Sequence, residues 1–273
     1  MTLTRRDTLS FAFAGLASPF LAPEAMAYED VWASLVTDAF DGKAMEPTET
    51  LVSLEAPYRA EDAAIVPMVI RTALPAGDTR FIRKVTLVID RNPAPVAAVF
   101  ELGDASGVGM IETRVRINEY TKVHAVAELS DGALYVTEKF VKAAGGCSAP
   151  AVKDQAEAAA NLGRMKFRQF PGAGGAAQSA PREAQLFIRH PNNSGFQRET
   201  LSNLYIRPRF VDLIEIKQGA DLILRVSGGI SLSEDPNLRF AYLANGAPVI
   251  TAFATDTDGT TFSGEWPVEP AAS

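Results

Sequence analysis

The chain of 273 residues predicts an all-β fold: two β-sandwich domains joined by a Gly/Ala-rich segment, with a short helix at the start. Three observations carry that prediction. Short runs rich in β-branched and aromatic residues recur between turn residues, a pattern of antiparallel strands. In "IETRVRIN" (111–118) the alternation is plain: Ile111, Thr113, Val115 and Ile117 share one face, and Glu112, Arg114 and Arg116 the other. Two such strand-rich blocks flank a stretch, 143–183, that is rich in Gly and Ala and lacks sustained apolar periodicity.

Taken in order, "YEDVWASLVTDAF" sets Val31, Leu35 and Phe40 near helical spacing beside Trp32 and Val36, so a short amphipathic helix is expected. Strands follow at 65–71, 81–90, 95–102, 111–118, 121–129 and 134–142, with Pro, Gly, Asn or Asp between them. A parallel α/β sheet would need a helix between successive strands, so a sandwich of immunoglobulin-like kind is expected instead. "KDQAEAAANLGRM" (153–165) has the composition of one short helix, and "PGAGGAAQSAP" (171–181) that of a flexible linker. The second block places strands at 184–190, 209–218, 221–228, 238–246, 248–256 and 260–268, with a hairpin turn at Gln218 to Ala220. Each block has material for its own core.

The N-terminus, "MTLTRRDTLSFAFAGLASPFLAPEAMA", carries Arg5 and Arg6, an apolar stretch from Leu9 to Ala17, and the small-x-small sequence Ala25-Met26-Ala27. This reads as an export signal cleaved after Ala27. The paired arginines favour the twin-arginine route over Sec, although Thr8 and Ser10 depart from its usual pattern. The apolar stretch is broken by Pro19 and Pro23 and is shorter than the ~20 residues of a membrane span, so a soluble periplasmic protein is expected. A net charge of -7 disfavours nucleic acid, whose phosphates reward clustered Lys and Arg. One cysteine allows no internal disulfide.

Catalytic and cofactor motifs find little support. His124 and His190 are the two histidines, both placed in or at the end of strands, which favours structural or surface roles; no metal or cofactor site is expected. "GAGGAA" (172–177) lacks the strand, helix and Lys-Ser/Thr ending of a phosphate cradle, and "ELGDASGVG" (101–109) reads as a turn between strands. Asp256 and Asp258 lie in "ATDTDGT", expected to be a solvated hairpin loop.

The remaining candidate is Cys147, in "KAAGGCSAPAVKD" (142–154). A His190-activated nucleophile would need a rigid platform, which Gly145 and Gly146 do not suggest. No bulky neighbour is present to bury the thiol, so an exposed cysteine on a flexible arm of Gly145, Gly146 and Ser148 is expected. Lys142 and Lys153 are close enough in sequence to favour its thiolate. Such a segment suits delivery better than catalysis.

"GGC" after the last strand of a small β domain resembles the carrier arm of the periplasmic sulfur-oxidation protein SoxY, whose cysteine holds substrate covalently. "LFIRHPNNSGFQRE" resembles the opening strand and His-Pro-x-x-x-Gly turn of its partner SoxZ, here His190, Pro191 and Gly195, and "TDTDGTTFSGEW" its closing hairpin. The order resembles a SoxY-SoxZ fusion over about residues 40 to 268, of the type associated with quinoprotein dehydrogenases. The resemblance implies a SoxY-like domain over 28–142, an arm and linker over 143–183, and a SoxZ-like domain over 184–273. It implies a non-enzymatic carrier with a sulfur group on Cys147, with sulfur-handling enzymes or a quinoprotein (alcohol) dehydrogenase system as partners. A non-covalent adaptor of that system and a Cys147-linked homodimer are the alternatives. One departure stands out: Ser148 and Ala149 follow the cysteine where the family's arm ends in Gly-Gly, and the chain continues.

Overall fold

A computed structural model describes residues 31–150, 155–170, 181–199 and 202–269. The expected export signal, Lys153 and residues 171–180 of the expected linker lie outside the described residues. The rest is nearly all β, as expected, with two short helices.

The first, α1 (Trp32–Phe40), ends where Asp41 takes a left-handed conformation at φ 54° and its N–H reaches the Val36 carbonyl. Its apolar side packs Trp32, Leu35 and Phe40 against Val88, Val126 and Leu134. The first block then supplies β1 (Met45–Pro47), β2 (Val52–Glu55), β3 (Val66–Thr72), β4 (Ile82–Ile89), β5 (Val96–Leu102), β6 (Met110–Val115), β7 (Thr121–Leu129) and β8 (Leu134–Val141). Because α1 covers one face of β4 and β7 while the second sheet covers the other, Val85 to Asp90 are all buried, and the usual in-out alternation is lost there.

After α2 (Gln155–Ala160) come β9 (Met165–Phe170), β10 (Pro181–Ile188), β11 (Val211–Gln218), β12 (Asp221–Gly228), β13 (Asn237–Leu243), β14 (Val249–Asp256) and β15 (Thr261–Pro267). The β11–β12 hairpin turns at Gly219, φ 59°, at the position expected. Strands β1, β2 and β9 fall outside the expected set; two are only three and four residues long, and β9 lies within the segment whose composition reads as loop and linker.

The sheets do not respect the boundary between the two blocks. One runs β1-β8-β7-β4-β5-β12-β11-β14-β15, the other β2-β3-β6-β13-β10-β9. Antiparallel pairing of β5 with β12 (Phe100 opposite Val226) and of β6 with β13 (Ile111 opposite Phe240) joins the halves in both layers. Pairing removes two sheet edges from each half, which would otherwise present unpaired N–H and C=O groups. The expectation of two separate cores is therefore corrected: one apolar cluster runs from Leu54 and Val66 through Phe100 and Ile111 to Phe240 and Ile250. Among the described residues no helix is long and apolar enough to cross a membrane.

Candidate functional site

Cys147 sits at the seam of the two halves, and its sulfur is inside the protein: the residue has 0% relative exposure. The expectation of an exposed thiol is corrected here. Backbone contacts, which leave no trace in side-chain bulk, bury it. Leaving β8, Lys142 donates its N–H to the Tyr58 carbonyl, and the chain turns at Gly145, φ 78°. Gly145 N–H donates to the Asn118 carbonyl (2.8 Å), and Gly146 N–H to the Ile117 carbonyl (2.9 Å). Ser148 N–H closes the turn onto the Gly145 carbonyl (3.2 Å), leaving Gly145 and Ser148 exposed and Gly146 and Cys147 buried.

Gly146 is required for closeness rather than for freedom. A Cβ there would stand 2.0 Å from the Ala63 carbonyl oxygen and 2.7 Å from that of Ile117, both backbone atoms. The free glycine arm read from the sequence is thus, in this structure, a pinned turn against the loop after β6.

The second half closes the site from the other side. Ser194 Oγ–H donates to the Cys147 carbonyl in a short hydrogen bond. Ser194 belongs to the His-Pro-x-x-x-Gly turn, residues 190–195, so the motif of the second block forms a wall over the cysteine of the first. The turn is built rigidly. His190 Nδ1 accepts from Asn192 N–H (3.0 Å), which puts the ring proton on Nε2, facing Asp256 Oδ2 at 3.4 Å. Arg209 Nη2 pairs with the same carboxylate at 2.7 Å. Asn192, at φ 43°, accepts on its Oδ1 from Val211 N–H (3.1 Å).

Asp256 is accordingly buried, against the expectation of a solvated loop residue. Burial pushes its pKa up, but the Thr260 N–H, Arg209 and His190 outweigh that and hold it below the ordinary carboxylate value. Burial, partly opposed by Asp256, lowers the pKa of His190. His124 is buried as well, hydrogen-bonded to Asp90 and stacked on Trp32 at 3.7 Å between ring centroids, far along the sheet from this turn in strand order.

Arg116 is the residue that sequence reasoning missed. Alternation put it on the solvent face, yet β6 ends at Val115 and the chain bends, so Arg116 turns inward to 1% exposure. Its Nη1 donates to the Gly146 carbonyl and its Nη2 to the Asn192 carbonyl, each at 3.3 Å, so one guanidinium ties the cysteine turn to the wall opposite. Among the described residues its Nε has no hydrogen-bond partner. No sequence signal marks this: the strand end that reverses its direction is not visible in the residues themselves.

The consequence for the sulfur is electrostatic. Burial raises the Cys147 thiol to a pKa of about 11, and the Arg116 charge offsets only part of the rise. Lys142, expected to favour the thiolate, instead lies over the Tyr58 ring at 4.9 Å. At neutral pH the closed site holds a protonated, weakly nucleophilic thiol. Its burial also leaves no surface for a disulfide with a second chain in this conformation. Among the described residues no three His, Cys, Asp or Glu side chains converge as a metal site would require.

The fold and the site define a class: a β-sandwich pair fused through both sheets, with a single cysteine at the end of the first half, enclosed by a turn of the second. The family comparisons match that division. Residues 36–147 match the family Sulfur oxidation protein SoxY, and residues 172–267 match the family Sulphur oxidation protein SoxZ, so the chain carries a SoxY domain and a SoxZ domain in one polypeptide. Among solved structures, the sulfur carrier protein SoxY from Chlorobium limicola f thiosulfatophilum aligns at 20% identity and a TM-score of 0.33, over 41% of this chain and 90% of that one. A superoxide reductase (neelaredoxin) from Ignicoccus hospitalis aligns at 12% identity and a TM-score of 0.30, over 34% of this chain and 79% of that one. No match was found among the curated proteins.

Proposed function

We propose that this chain is a non-enzymatic carrier of sulfur oxidation, in which Cys147 holds a sulfur-containing group covalently and presents it to partner enzymes in the periplasm. The observation that supports it most directly is positional: the SoxY match ends on Cys147, the one cysteine of the chain. The SoxY-like domain spans 28–142, the cysteine segment and linker 143–183 and the SoxZ-like domain 184–273. Residues 1–27 direct export, by the twin-arginine route.

The closed turn sets a condition on this role. Loading requires the hydrogen bonds of Gly145, Gly146 and Ser194 to open, because a buried sulfur reaches no partner and a protonated one attacks nothing. Glycine at 145, with its positive φ, is suited to the open form also. With opening, solvation returns the thiol toward its ordinary pKa, and exposure and reactivity arrive together.

The burial of Cys147 favours one second reading, a non-covalent adaptor of a quinoprotein (alcohol) dehydrogenase system acting through its sandwich surfaces. Replacing the chromosomal copy with Cys147→Ser separates the two. The carrier reading predicts loss of growth on the reduced sulfur source with the protein still present at normal level. Full growth on it, with partner pull-down unchanged, contradicts the carrier reading and supports the adaptor.

A further inference from the structure

The outer face of the six-stranded sheet holds a pocket whose charge is opposite to that of the protein. It has a volume of about 540 Å3, and its lining includes Arg114, Arg164, Lys166, Arg168 and Arg189 against a single carboxylate, Asp235. The chain as a whole carries a net charge of -7. The register explains the convergence. Phe187 faces Lys166 on β9 and Asn237 on β13, and Glu112 of β6 faces Arg239, so Arg114, two residues on, shares that row and that face. Arg164 lies just before β9 and Arg189 just after β10, at the same end of the sheet.

The one acid is already engaged: Asp235 accepts from Arg189 Nη1 and from the His190 N–H. Arg164 Nη1 donates to the Asn161 side-chain carbonyl at 2.7 Å. Arg168 lies over the Phe187 ring at 5.6 Å. Among the described residues Arg114, Arg164, Lys166 and Arg168 make no ion pair, and Arg114 Nε is buried with no hydrogen-bond partner. Glu234, beyond the lining, acts on Arg114 only through space. Four neighbouring cations, none of them ion-paired among the described residues, repel one another, and an anion seated among them relieves that repulsion while accepting directed N–H bonds.

From this geometry we infer that the pocket binds a small dianionic oxyanion, with Lys166 and Arg168 on β9 and Arg114 on β6 as its principal donors. Guanidinium forks and an ammonium group carried on strands of one sheet suit a tetrahedral anion, and half-buried Phe187 lines the pocket among them. The site is separate from Cys147 and stands whether or not that residue carries a group. The ligand is of one chemistry with two sources: a sulfur oxyanion such as sulfate or thiosulfate, or inorganic phosphate.

Isothermal titration of the full chain with sodium sulfate, thiosulfate and phosphate in low-chloride buffer tests it. One-to-one saturable binding is expected for at least one of the three, weakened at least about tenfold in the double variant K166Q/R168Q, whose side chains are exposed and not needed for the core. Tighter binding of the sulfur oxyanions or of phosphate assigns the source. Binding unchanged in Cys147→Ser keeps the result independent of the carrier role, and binding unchanged in Arg71→Gln, at a remote exposed ion pair, controls for net charge. No saturable binding of any dianion, or equal binding by K166Q/R168Q, overturns the inference.

Discussion

At Cys147 the decisive quantity is the fraction of thiolate. With a pKa of about 11 against the ordinary 9.0, the closed protein at pH 8 holds about a hundredfold less thiolate than an unfolded chain. Iodoacetamide labelling at that pH should therefore be slower by at least that factor in the folded protein than in urea. Because the folded pKa is the raised one, the stability linked to this thiol is complete below pH 9.0 and is lost as pH rises toward 11. Equal labelling rates would show the turn to be open. Substitutions in the turn move the rate in graded fashion. Ser194→Ala removes one hydrogen bond worth about 1 kcal/mol and should raise labelling about fivefold. Gly146→Ala cannot occupy the closed turn without moving two backbone carbonyls, and should bring labelling near the unfolded rate while circular dichroism stays that of a β protein. The prominence of Cys147 was legible in the sequence, since it is the one thiol in a stretch of small residues. Its burial was not, because carbonyls of Ala63 and Ile117 and a serine 47 residues away supply the cover.

Among the elements, the turn at 190–195 joins sequence motif to mechanism. Its shape depends on a neutral His190 bonded to an ionised Asp256, and both have pKa values below their ordinary ones. Groups with lowered folded pKa bind protons more readily when unfolded, so their contribution is lost as pH falls: from about 6.5 downward for His190, and below 3.8 for Asp256. Urea midpoints measured between pH 8 and 5 should fall through this window, and His190→Gln should flatten the fall. The strand elements themselves were legible wherever residue pattern and burial agree, as in β6 and β11. They were illegible in β1 and β2, too short to show a period, and in β9, whose Lys166, Arg168 and Gln169 read as loop composition although Phe167 packs inward. The solvent-facing assignment of Arg116 failed for a related reason: alternation holds only while the strand lasts.

For the whole molecule, the pairing of β5 with β12 and of β6 with β13 predicts shared stability. Heating or urea should unfold residues 31–269 in a single transition seen alike by far-ultraviolet dichroism and tryptophan fluorescence, with no earlier loss of one half. Two separated transitions would mean that the seam contributes little. The seam also explains why the cysteine lies where it does. The first half ends at the junction, the second half supplies its cover, and a movement of either is felt at the sulfur. The most direct test of a covalent carrier on Cys147 is the intact mass of the protein isolated without reductant from its host during growth on a reduced sulfur compound. The account predicts a sulfur-containing adduct that maps to Cys147, disappears on reduction and is absent in Cys147→Ser. A free Cys147 thiol under every growth condition would contradict it.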